Sequence, residues 1–212
     1  MRAVFTHLKL LLVVVIFVMA SLSSYGQLSS NTVKYKVTYE PATSRYTVWV
    51  VPQYSTPNSN NSSNNEFGAT AQVTLKVPTN FVVQSIVDVR GIWDKNPLKL
   101  GDPVTQPAFS SQTYDKNYRY YTIGKSNEET DYGSFVNGTP VALFTFLGNF
   151  CAGALGILPK GDAYVTAAMN AYLLNTESSF YSRSGQQAGG NIAPREQFVD
   201  KLGPDAACPP VA

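Results

Sequence analysis

Histidine is almost missing from this chain. Its single copy, His7, lies in a stretch that reads as a removable leader, so the remaining protein has none. The commonest general base and zinc ligand is therefore absent, and with it the central member of Ser-His-Asp and Cys-His sites. Nucleotide signatures are missing too: there is neither a P-loop nor a glycine-rich dinucleotide fingerprint. No GxSxG nucleophile elbow occurs. Cysteine is scarce, with two copies. Two thiolates without histidine do not complete a tetrahedral metal shell. Net charge is small at +2, and the leader holds two of the 16 basic residues and none of the 14 acidic ones, leaving 14 against 14. Such a balance gives no electrostatic footprint for nucleic acid. After the leader, no apolar run is long enough to span a bilayer. The expectation is a protein without catalytic residues, metal ligands or cofactor.

The leader itself is clear. Arg2 and Lys9 make a positive n-region, residues 10–20 an apolar h-region, and residues 21–26 a small-residue cleavage region. Ser24 and Gly26 suit the −3 and −1 positions, so Gln27 becomes the first mature residue. Removing 26 of 212 residues leaves 186, enough for one domain with a sizeable core. The expected location is secreted or at the cell surface. In an exported chain the pair Cys151 and Cys208 reads as a disulfide. The expected plan is a signal peptide over 1–26, a β-sandwich over 27–181, and a flexible linker with a disulfide-tethered tail over 182–212.

Period-2 alternation dominates the mature chain. Val33, Tyr35, Val37 and Tyr39 alternate with Lys34, Lys36, Thr38 and Glu40. After the turn 41–44, Tyr46, Val48 and Val50 share a face, which predicts a β-hairpin. Residues 52–66 are a polar run of Asn and Ser, expected to be a mobile loop. Ala69, Ala71, Val73, Leu75 and Val77 mark a third strand. A fourth runs over 81–93 with Phe81, Val83, Val87 and Val89 on its inner face. Residues 94–117 read as loop. Residues 118–124 and 141–147 are further strands, the latter the most apolar and so expected to be central. Residues 153–159 give a short seventh. Residues 162–175 fit a short helix capped by Asp162, or a long loop. Residues 194–203 fit one or two helical turns, with Pro194 at the start and Gly203 at the stop. The fold class expected is all-β: an immunoglobulin-like or jelly-roll β-sandwich with one or two short helices near the C-terminus.

Two groups of residues carry possible chemistry. Glu128, Glu129 and Asp131 offer hard oxygen ligands that suit calcium in an extended loop, although their spacing is not that of an EF-hand; a solvated charged loop is the plainer reading. The aromatic residues Trp49, Trp93, Tyr118, Tyr120 and Tyr121 are candidates for stacking on sugar rings. Against that stands the preference of Tyr and Trp for strands and sandwich cores.

The stretches VKYKVTYEPATSRYTVWVVP, FGATAQVTLKVPTNF and VALFTFLGNFCAGALGILPKGD succeed one another over residues 28–162. In this order they resemble the amino-terminal module of large exported bacterial surface proteins with adhesin or cadherin-like arrays, and also the cohesin and carbohydrate-binding-module sandwiches. The resemblance implies a jelly-roll or immunoglobulin-like sandwich that binds or scaffolds. The leading functional expectation is a noncatalytic extracellular binding or adhesion module whose partner is a polysaccharide or a cell-surface protein. The alternatives are a secreted glycoside hydrolase working with two carboxylates and a structural component of the envelope or matrix joined through strand edges.

Overall fold

The computed structural model describes residues 30–186, 195–206 and 208. The expected signal peptide, most of the expected linker and the end of the expected tail lie outside the described residues. The rest is an all-β sandwich with one α-helix. Among the described residues, no helix is long and apolar enough to cross a membrane.

Alternation builds the first sheet. β1 (Val33–Glu40) and β2 (Arg45–Pro52) pair antiparallel without a slip, from Val33 opposite Pro52 to Glu40 opposite Arg45. Val33, Tyr35 and Val37 of β1 and Tyr46, Val48 and Val50 of β2 are buried, as period 2 requires. β9 (Val141–Gly148) adds to β2, with Phe144 opposite Val48 and Phe146 opposite Tyr46. β5 (Val83–Asp88) forms the outer edge beside β9. The most apolar strand is therefore interior, although β2 holds the middle of the five.

Two expectations fail in this sheet. Val87 and Val89 point to solvent, 51% and 40% exposed, while Ile86 takes the inner position. The cause is local: Ser85 adopts φ 47° and the pairing slips between Gln84 and Val87. A bulge of this kind inverts every side chain after it. At the other edge, the stretch expected to be helical forms β12 (Phe198–Lys201), parallel to β1. A helix this short gains little by itself. As a strand, Phe198 is fully buried and stacks on Tyr35 with ring centroids 5.1 Å apart. Residues 198–201, which the expected tail included, are thus part of the sandwich.

The second sheet is centred on β4 (Thr70–Pro78) and β7 (Tyr118–Gly124), paired from Gln72 opposite Gly124 to Pro78 opposite Tyr118. β6 (Lys99–Leu100) lies outside β7. β10 (Gly156–Ile157) and β11 (Ser179–Tyr181) share the far edge of β4. A separate ribbon joins β3 (Glu66–Gly68) to β8 (Thr130–Gly133). Between the sheets lies one continuous core that includes Val48, Val73, Leu75, Ile123, Phe144 and Phe146.

A second, smaller core sits on the far side of β7, under α1 (Ala163–Tyr172). Asp162 caps this helix by accepting from the Tyr164 amide at 2.9 Å. Tyr164 and Tyr120 stack at 3.6 Å, and Phe109 closes the group. Cys151 and Cys208 form the expected disulfide, with Cα atoms 5.8 Å apart. The Leu155–Ala206 bridge holds the same end of the chain down.

Candidate functional site

Strand alternation sorts the five aromatic candidates. Trp49 is flanked on β2 by the buried Val48 and Val50, so it projects from the outer face of the first sheet, where it is half-buried. Its Nε1 donates to Thr38 Oγ1 at 2.8 Å, which fixes the indole against β1 opposite Lys36. Trp93 is 2% exposed, packs 4.8 Å from Phe144, and donates Nε1 to the Arg90 carbonyl. Tyr120 and Tyr121 are both buried although adjacent. The reason is that β7 is covered on both faces: Tyr121 joins the main core and Tyr120 the satellite core beneath α1. Tyr118 is half-buried, with the Lys76 ammonium 4.5 Å from its ring centre. Trp93, Tyr120 and Tyr121 are therefore packing residues and offer no free face. The remaining two lie on different sheets, so the five do not converge.

The acidic group does not converge either. Glu129 Oε1 accepts from Arg183 Nε at 3.0 Å and Nη2 at 2.8 Å. Asp131 accepts from Asn65 Nδ2 at 2.9 Å and from the Gly133 amide at 2.7 Å. Glu128 contributes its backbone carbonyl to the Lys125 ammonium. Among the described residues, no cluster of three metal-ligating side chains is present. Burial pulls the Lys125 pKa down, against the opposing pull of Glu128.

Paired carboxylates meet at one cation. Lys76 Nζ lies 3.5 Å from Asp115 and 3.8 Å from Asp162. One ammonium group thus pairs with both acids, and Asp162 also caps α1.

A buried polar network went unforeseen. Glu66 is fully buried at the start of β3. Its carboxylate accepts from the Ser184 hydroxyl, from the Ser184 amide at 3.1 Å and from Asn61 Nδ2 at 3.4 Å. Gln197 Oε1 accepts from the Ser182 amide at 2.7 Å and its hydroxyl at 2.9 Å, while Gln197 Nε2 donates to Tyr54 at 3.1 Å. Burial, and after it the nearby Glu66 charge, drives the Tyr54 phenol far above its usual pKa. Gly185 is needed here, because a Cβ would sit 2.6 Å from Gln197 Oε1. The polar run 52–66 is therefore not a free loop. Asn58 donates to Ser184 Oγ at 2.8 Å and Asn60 to the Ser184 carbonyl at 3.0 Å, while Asn61 is 4% exposed. Residues 182–186, expected in the flexible linker, supply the partner turn, with Ser182 and Ser184 buried.

Beside this clasp, Arg183 lies 4.4 Å over the Phe67 ring. A cleft of about 120 Å³ opens there, lined by Gly68, Thr70, Tyr181 and Arg183. Compared with known proteins, the chain matches no family model, no curated protein and no solved structure.

Proposed function

We propose that the protein is an exported, noncatalytic module that binds polysaccharide outside the cell. The observation that carries this reading is Trp49: an aromatic residue fixed by a hydrogen bond on the solvent side of a sandwich sheet. A flat face of this kind suits the CH groups of a sugar ring, and the surrounding Lys36, Thr38 and Thr47 supply partners for hydroxyls. The amino-terminal leader and the Cys151–Cys208 disulfide support an oxidising, extracytoplasmic destination.

The test is a glycan-array screen of the mature protein, followed by tryptophan fluorescence titration on any neutral glycan that scores. Trp49→Ala should abolish binding and leave the melting temperature within a few degrees of the parent. Trp93→Ala should instead lower the melting temperature sharply, because its indole fills the core. A wild-type protein that retains no neutral glycan, or a Trp49→Ala variant that binds like wild type, would overturn the reading.

A further inference from the structure

We infer that the groove along the β5 edge is a second binding site, for an acidic polysaccharide whose chain carries carboxylate or sulfate groups. β5 and β6 each end a sheet, and the groove opens between β5 and the segment leading into β6. It has a volume of about 580 Å³, against about 120 Å³ for the cleft beside Arg183. Gln84 and Ser85 line one wall; Lys95, Asn96 and Lys99 line the other.

Two lysines and no acidic residue are among the lining residues. At its margin, Asp88 pairs with Lys95, and Asp102 pairs with Arg119 at 3.1 Å. Lys99 has no carboxylate within ion-pair distance among the described residues, and donates to the Thr79 carbonyl at 2.8 Å. Burial and then Arg119 pull its pKa down, with Asp102 opposing them. Its positive charge is thus undercompensated, and an anionic ligand would supply what the fold does not. The amides of Gln84 and Asn96 and the Ser85 hydroxyl add the neutral donors and acceptors that sugar hydroxyls require.

Ser85 argues for a sugar chain over a peptide. A peptide would bind this edge by strand addition, which needs a regular row of free backbone groups. The bulge at Ser85 breaks that row, and Arg45 Nη2 already occupies the Ser85 carbonyl at 2.6 Å. A serine held at φ 47° is also a strained conformation, of the kind retained at functional sites.

The experiment titrates the mature protein with polygalacturonate, with dextran as the neutral control and poly-glutamate as the acidic peptide. Polygalacturonate should bind, and its affinity should fall about tenfold or more as salt rises. Lys95→Gln with Lys99→Gln should weaken it about tenfold or more. Gln84→Glu, an exposed change that leaves both lysines in place, should do the same by setting a negative charge in the groove. Trp49→Ala should leave polygalacturonate binding unchanged, which separates this site from the one proposed above. No binding by wild type at low salt, or undiminished binding by Gln84→Glu, would overturn the proposal. Equal binding of poly-glutamate through the same lysines would overturn the assignment to a polysaccharide.

Discussion

The interior between the sheets and the polar clasp around Glu66 are both closed to water, but by opposite chemistry. In the interior, Phe144, Phe146, Val48 and Leu75 exclude water by apolar burial alone. In the clasp, Glu66, Asn61, Ser182, Ser184 and Gln197 are buried polar groups, and each has to be met by a partner. The first kind of burial tolerates imprecision, because dispersion and the hydrophobic effect have no direction. The second does not, because a donor displaced from its acceptor loses the bond and keeps the desolvation cost. The clasp therefore fixes the relative positions of segments 54–66, 182–185 and 197 more sharply than apolar contact would, while adding less net stability per residue.

Alkaline pH tests both regions together and has the largest expected effect. Burial raises the pKa of Tyr35, Tyr46, Tyr114, Tyr120, Tyr121 and Tyr164 in or against the two cores and of Tyr54 and Tyr132 in or beside the clasp; Tyr181 is pushed up to about 12. A phenol with a raised folded pKa contributes stability that is fully present below its unfolded value, about 10, and is lost as pH climbs toward the folded value. The lowered pKa values of Lys99 and Lys125 act in the opposite sense, with stability rising as pH climbs to the ordinary lysine value, but the tyrosines far outnumber them. These nine phenols should accordingly ionise cooperatively, coincident with loss of the β-sheet circular dichroism signal. Gradual ionisation of these tyrosines with the sheet intact would contradict their burial.

Truncating one core ring is the next largest effect. Phe144→Ala should cost about 3–5 kcal/mol in urea unfolding, through lost transfer energy and the cavity left against Trp93. A cost under about 1 kcal/mol would mean that the interior collapses around the gap and is less tightly packed than its aromatic contacts imply.

Glu66→Ala should be smaller, about 1–3 kcal/mol, because it strips the acceptor from the Ser184 amide and Asn61. Glu66→Gln keeps one acceptor oxygen, and the Ser184 hydroxyl is free to turn and accept from the new amide, so it should recover most of the loss. The signature that separates clasp from core is limited proteolysis: Glu66→Ala should admit cleavage within 53–65 first, whereas Phe144→Ala should show no such preference. Equal costs for Ala and Gln would show that the carboxylate charge, and not its hydrogen bonds, holds the segments together.

The two regions also differ in how far the amino-acid sequence reveals them. The hairpin of β1 and β2, and the strands β4, β7 and β9, are legible because each carries its burial pattern in its own alternation. The Asp162 cap and the Cys151–Cys208 pair are legible for a similar reason: each is a local or compartment-level rule. β5 misled at Val87 and Val89, since nothing in its composition announces that Ser85 will turn left-handed and reverse the faces. β12 misled because a strand of four residues is defined by the edge it joins, and that edge lies more than 150 residues earlier. β8 gave no signal for the same reason.

Among the candidate site residues, alternation correctly turned Trp49 away from Val48 and Val50. It was silent on Tyr120 and Tyr121, whose joint burial requires cover on both faces of one strand. Glu66 was invisible, because a glutamate after an asparagine-rich run looks like a solvated loop until Ser184 arrives from 118 residues away.

The sequence by itself determined the all-β class, the main strands, the inward faces of β1, β2 and β4, and the disulfide pairing, because periodicity and the shortage of alternative cysteines act within reach of the local chain. Only the tertiary structure decided that the asparagine run is tied down, that the carboxyl end completes the first sheet, and that two lysines line a groove between sheet edges. Those outcomes depend on which distant segments meet, and hydrogen bonds and charges acquire their energy only once a specific partner is in place at a specific distance.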